Sequence, residues 1–157
     1  MAAYEGPLEK AIHRFKYEGW RALAAPLAEL LVDRLTETAP APLLVAVPLH
    51  RRRMRTRGYN QSELLAAQLR AGLGLAAPPG RLVRLRDTPP QVGLDRMHRR
   101  FNVAGAFAWQ GPSLAGRPIV VVDDVTTTGA TLDACAAPLR LAGSGHVRGL
   151  TIACVSA

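Results

Sequence analysis

The chain has 157 residues, 48% of them hydrophobic, with a formal net charge of +8 at pH 7, and this length suits one domain, 1–157, with a substantial core. Every apolar run is interrupted before the roughly 20 residues that a membrane span needs, and no signal segment is visible, so we expect a cytoplasmic protein without membrane insertion. The cysteines, Cys135 and Cys154, belong to no Cys/His cluster, which leaves too few ligands for a zinc site.

The first half of the chain is predicted to start with helices. Apolar residues at helical spacing indicate two helices over residues 1–38, separated near Gly19. Leu43–Pro48 is a short apolar run, typical of a strand buried on both faces. We interpret the arginine-rich stretch that follows as a loop, before an amphipathic helix that Asn60 or Ser62 caps.

The second half alternates strands and helices. Residues 87–102 contain two prolines and a glycine and predict a mobile loop, long enough to be functional. The whole pattern indicates an α/β fold with three layers, a Rossmann-like, mostly parallel sheet with helices on both faces, and 43–157 as its ligand-binding core. The other predicted elements are strands at Arg81–Arg86, Ala104–Trp109, Pro118–Val122 and Val147–Val155 and a helix at Ala130–Leu141.

The positive charge is concentrated in one region. Residues 51–100 hold twelve of the twenty basic residues and three of the twelve acidic ones. This concentration of positive charge attracts phosphate groups, either those of a small metabolite or those of a nucleic acid.

The segment Ile119–Leu132, IVVVDDVTTTGATL, carries the clearest chemical signal. A buried strand is followed by two carboxylates and then by hydroxyl residues and a glycine that lead into a helix. The backbone N–H groups and hydroxyls of such a turn suit a phosphate monoester, and the helix dipole favours its charge. Asp123 and Asp124 would repel that phosphate, so we expect them at a solvent-reachable cleft, facing sugar hydroxyls directly or through Mg2+. Phosphoribosyl pyrophosphate (PRPP) meets all these requirements.

The same segment closely resembles the thirteen-residue PRPP-binding motif of type I phosphoribosyltransferases, here at Ile119–Thr131. The resemblance implies the type I phosphoribosyltransferase fold, with Asp123 and Asp124 holding the ribose 2′ and 3′ hydroxyls and influencing Mg2+ geometry. It also implies a 5′-phosphate loop made of Val125, Thr126, Thr127, Thr128, Gly129, Ala130 and Thr131.

Neighbouring segments resemble the ComF family of competence-associated phosphoribosyltransferases. The resemblance implies that Val47–Gln61 is a loop that contacts pyrophosphate. It implies that Arg86–Val103 is a flexible loop that closes over the site. Leu8–Gly19 resembles the helical N-terminal part of the family. The cysteine-rich zinc-binding segment of many ComF-like proteins is not seen here. Within the two loops, the expected contacts to PRPP are Arg57, Gly58, Asn60, Gln61, Gln91, Arg96 and Arg100.

Two functions follow from these residues and this resemblance. The first is an Mg2+-dependent glycosyltransferase that moves the phosphoribosyl group to a nitrogenous base and releases pyrophosphate. The second is a protein without turnover that senses PRPP or assists uptake of single-stranded DNA, with competence proteins as partners. Only 5% of the residues are aromatic, which leaves few rings for base stacking and favours weak DNA contact.

Overall fold

The structure is a computed structural model that describes residues 2–36, 41–87 and 102–155. The predicted loop at 87–102 lies outside the described residues except at its two ends. The strands are β1 (Ala2–Ala3), β2 (Leu43–Ala46), β3 (Arg81–Arg84), β4 (Phe107–Gln110), β5 (Ile119–Thr126) and β6 (Val147–Cys154). The helices are α1 (Gly6–Tyr17), α2 (Ala24–Thr36), α3 (Arg51–Arg57), α4 (Gln61–Leu73) and α5 (Ala130–Leu141), with a short 3-10 helix at Arg21–Leu23 before α2.

The main sheet is parallel, in the order β1-β6-β5-β2. β5 lies in its centre because its valine-rich first half is buried on both faces. The predicted strand ended at Val122, but β5 continues to Thr126, since Val125 and Thr126 still pair with Ala153 and Cys154 of β6. Asp123 and Asp124 therefore lie inside the strand, near its carboxyl end.

Alternate strand residues face the two sides of the main sheet and build two cores. One core packs Leu44, Val120 and Leu150 against α1, α2 and α4. The other packs Val45 and Val121 against α5, β3 and β4. The predicted α/β fold, with a parallel sheet and helices on both faces, is confirmed.

β3 and β4 form a separate antiparallel pair, in which Arg81 lies opposite Gln110 and Arg84 opposite Phe107. The strand predicted at 104–109 thus begins and ends slightly later, at Phe107–Gln110. Within the described part of the chain, each helix is too short or too polar to cross a bilayer.

The arginine-rich segment was predicted wrongly as a loop, because it forms the helix α3. The His50 side chain caps its start by accepting from the Arg52 N–H at 3.4 Å, and Gly58 ends it in the left-handed conformation at φ 78°. Arginine favours helices, and a helix spreads the five guanidinium groups around its axis. Consequently Arg51, Arg52 and Arg55 are exposed, whereas Arg53 and Arg57 are partly buried.

Candidate functional site

A cleft of about 310 Å³ lies at the carboxyl ends of β2 and β5. The end of α1, the inner side of α3 and the start of α5 converge there, so that residues from four distant parts of the sequence share one space. The carboxyl ends of parallel strands are the usual ligand-binding edge of an α/β sheet. The cleft is also lined by residues of Ile119–Thr131, the segment from which PRPP binding is predicted.

Asp123 lines this cleft. Its Oδ1 accepts from the Ser62 hydroxyl at 2.8 Å and from the Asp124 N–H at 3.0 Å. Burial, and after it the adjacent Asp124 carboxylate, raise the pKa of Asp123 to about 7. Above about pH 7 the Asp123 carboxyl is therefore mostly ionised, and in that form it only accepts hydrogen bonds.

Asp124 differs from its neighbour because it is buried and ion-paired. Its Oδ1 accepts from Lys16 Nζ at 2.9 Å and from the Val125 N–H at 2.6 Å, and 3% of its side chain is exposed. Its Oδ2 has no hydrogen-bond partner among the described residues. The expectation that both carboxylates are solvent-reachable is thus wrong for Asp124, because α1 covers it.

The predicted phosphate loop follows directly. Gly129 precedes α5 with φ 77°, in the left-handed region, and a Cβ added there would meet no atom within 4 Å. The backbone angle, and not the space, therefore favours glycine at this position. The Thr128 hydroxyl accepts from the Ala130 N–H at 3.4 Å. The other members of the predicted loop line the cleft, namely Val125, Thr126, Thr127, Gly129, Ala130 and Thr131.

Cationic side chains also line the cleft. Arg53 and Arg57 of α3 line the cleft, and Arg57 Nη1 donates to Gln61 Oε1 at 2.6 Å. Arg84 of β3 joins them, and burial, followed by the nearby Arg53, lowers the pKa of Arg84. The cleft thus contains both carboxylates and guanidinium groups, which suits a ligand with both hydroxyls and phosphates.

The predicted pyrophosphate loop is only partly brought to the cleft. Arg57 and Gln61 line it, whereas Gly58 ends α3 and Asn60 caps α4, accepting from the Ser62 N–H and donating to the Val47 carbonyl. The predicted contacts of the second loop lie outside the described residues, and these are Gln91, Arg96 and Arg100.

Sequence reasoning missed three side chains of the site. Lys16 and Arg84 line the cleft, and Ser62 donates to Asp123 across 61 positions of sequence. Ser62 was predicted only as an alternative helix cap, a position that Asn60 takes. No local pattern marks Lys16, since its partner Asp124 is distant in the sequence.

Known proteins similar to this chain support the predicted family. No protein-family model matches the chain. It is 36% identical over 154 residues to the DNA utilization protein YhgH of Salmonella typhi, covering 94% of this chain and 67% of that protein. It is 34% identical to YhgH of Escherichia coli strain K12, with the same coverage.

Two further comparisons differ in strength. The Haemophilus influenzae protein named Competence protein F is 34% identical over 153 residues, covering 92% of this chain and 67% of that protein. The solved structure of TT1426 from Thermus thermophilus is similar with a TM-score of 0.36 and 16% identity, over 83% of this chain and 82% of that one. With relatives above 30% identity along almost its whole length, the chain belongs to the ComF family.

Proposed function

We propose that the protein binds PRPP in the cleft described above, with the type I phosphoribosyltransferase fold. The observation that carries the proposal is the meeting of the Asp123–Asp124 pair with the Gly129 turn in one cleft. The carboxylates suit ribose hydroxyls, and the start of α5 suits the 5′-phosphate. Arg53 and Arg57 provide positive charge for the pyrophosphate.

Magnesium fits this site only together with the ligand. Among residues 2–36, 41–87 and 102–155, no group of three or more His, Cys, Asp or Glu side chains could hold a metal. Asp123 and Asp124 supply two hard carboxylates, and Asp124 Oδ2 is buried without a hydrogen-bond partner in that part of the chain. PRPP phosphates and water would complete the coordination, and the bound ion would neutralise charge on the pyrophosphate.

The reaction that suits these residues is phosphoribosyl transfer. The bond between ribose C1 and the pyrophosphate oxygen breaks, pyrophosphate leaves with the electron pair, and a nitrogen of an incoming base bonds to C1 and releases its proton to solvent. Arg53, Arg57 and Arg84 stabilise the charge on the leaving group. Asp123 and Asp124 hold the sugar in place, so catalysis depends on position and electrostatics. Retention of PRPP without turnover would make the protein a PRPP sensor.

The names of the relatives connect the family with DNA. Proteins called DNA utilization protein and Competence protein F share the family, and we propose that this chain also serves DNA uptake or use. A specific observation favours single-stranded DNA as a second, weak ligand: Arg51, Arg52 and Arg55 of α3 are exposed to solvent. Such groups bind nucleic-acid phosphates in a salt-dependent manner.

A thermal-shift measurement tests PRPP binding. At pH 8 the Asp123 carboxyl, with a pKa of about 7, is ionised. PRPP with Mg2+ at about 100 times its Kd should then add roughly 2.7 kcal/mol to native-state stability and raise the melting temperature. The exposed Glu29→Gln variant should show the same shift. Unchanged melting, together with no heat of binding in calorimetry, would refute the proposed function.

A further inference from the structure

We infer that Tyr17 is a positioning residue that holds the Arg57 guanidinium for the pyrophosphate, and that it thereby raises the selectivity of the cleft for PRPP over ribose 5-phosphate. The inference rests on the proposed function and deepens it, since it concerns the pyrophosphate end of the same ligand. Tyr17 is the last residue of α1, a helix outside the motif that predicts PRPP binding. Both Tyr17 and Arg57 line the cleft, although they lie far apart in the sequence.

The Tyr17 ring contacts the charge of Arg57 directly. The Arg57 guanidinium carbon lies 5.0 Å from the ring centroid, within the distance for a cation–π interaction. The ring is 65% exposed to solvent, so burial of apolar surface does not hold it there. Its position is supported instead by the ring of His13, 5.0 Å away and one turn earlier in α1. The contact therefore affects the orientation of Arg57 more than the stability of the fold.

A buried amide also restricts Arg57. Its Nη1 donates to Gln61 Oε1 at 2.6 Å, and Gln61 is 5% exposed. A guanidinium has five N–H donors, so this bond leaves other donors of Arg57 for a ligand. The ring and the amide together limit the rotamers of a long side chain, which would otherwise lose that freedom only when the ligand binds.

The turn after α3 is anchored by other contacts. The Gly58 carbonyl accepts from Arg21 Nη2 at 3.3 Å, and the Arg21 guanidinium carbon lies 4.7 Å from the Tyr59 ring. The Tyr59 hydroxyl donates to the Phe15 carbonyl. Loss of the Tyr17 ring should therefore leave this backbone in place and free only the arginine side chain.

PRPP and ribose 5-phosphate are the matched probes, because they differ only in the pyrophosphate on C1. Wild-type protein with Mg2+ should bind PRPP more tightly than ribose 5-phosphate. Tyr17→Leu should lower the PRPP affinity about fivefold, the cost of ordering one long side chain on binding, and leave the ribose 5-phosphate affinity unchanged. Tyr17→Phe should behave as wild type, because a phenyl ring retains the cation–π contact.

Trp20→Leu is the matched control. Trp20 is 50% exposed and its ring lies 4.9 Å from the Arg14 guanidinium carbon, but neither residue lines the cleft. Its loss should change neither affinity. In the Arg57→Met background, Tyr17→Leu should have no further effect on the PRPP affinity, since the arginine through which Tyr17 acts is gone.

Calorimetric titration with each ligand distinguishes the outcomes. A Tyr17→Leu protein that keeps the wild-type ratio of the two affinities, or that loses affinity for both ligands equally, overturns the inference and leaves PRPP binding intact. The inference also fails if Tyr17→Phe loses as much PRPP affinity as Tyr17→Leu, or if Tyr17→Leu weakens the Arg57→Met variant further. Wild-type protein that binds neither ligand overturns the proposed function and the inference with it.

Discussion

Replacing Lys16 by methionine should lower the free energy of unfolding by about 3 kcal/mol, because the Asp124 carboxylate would stay buried without its counter-ion. The ammonium and the carboxylate are 2.9 Å apart, and the carboxylate has almost no access to water. Urea denaturation followed by circular dichroism measures this loss through the shift of the midpoint. It is the largest effect on stability that we expect from a single side chain of the site.

Two matched variants separate the ion pair from the lysine itself. Lys10→Met removes an exposed lysine of the same helix and should leave the midpoint unchanged. The double variant K16M/D124N leaves no charge at either position and should recover most of the lost stability. A wild-type midpoint in Lys16→Met, or a double variant no more stable than the single one, is incompatible with a buried ion pair.

Arg57→Met should weaken PRPP binding by roughly tenfold to a hundredfold, the range for a lost hydrogen bond to a charged group. Arg57 lines the cleft and is held by Gln61, so its guanidinium is already oriented toward a ligand. Arg55 belongs to the same helix but is exposed. Arg55→Met is therefore the matched control, and it should leave the PRPP affinity unchanged.

The same two variants should affect DNA in the opposite way. If the exposed arginines of α3 neutralise DNA phosphates, Arg55→Met should reduce the slope of log K against log salt by about 0.7 for a single-stranded oligonucleotide. Arg57→Met should have little effect on that slope. Fluorescence anisotropy over a series of salt concentrations measures both. Equal losses of PRPP affinity in the two variants would mean that net charge, and not the cleft geometry, determines binding.

Much of the fold was predictable because its signals are local. The apolar runs at Leu43–Pro48 and Pro118–Val122 predict buried parallel strands, and β2 and β5 are such strands. The helix predicted at Ala130–Leu141 is observed with the same bounds. In each case the residues that form the element are consecutive in the sequence.

The errors arose where distant residues decide the structure. β5 extends past Val122 because β6 supplies pairing partners. The helix α3 is the exception, since its capping residues His50 and Gly58 adjoin it in the sequence and a local reading could have found them. Lys16 covers Asp124 only after α1 has packed beside the sheet. Composition and spacing contain no information on such contacts, so the burial of Asp124 was not foreseen.

The most direct test of the central claim is an amide NMR titration of the protein with PRPP and Mg2+ at pH 8. Our account predicts the largest chemical-shift changes at Val125–Thr131, the segment between the end of β5 and the start of α5, with smaller changes at Asp123, Asp124 and Arg57. These changes should saturate together, since one ligand causes them. The absence of shifts at millimolar PRPP, or saturable shifts confined to the exposed side of α3, would contradict a PRPP site in this cleft.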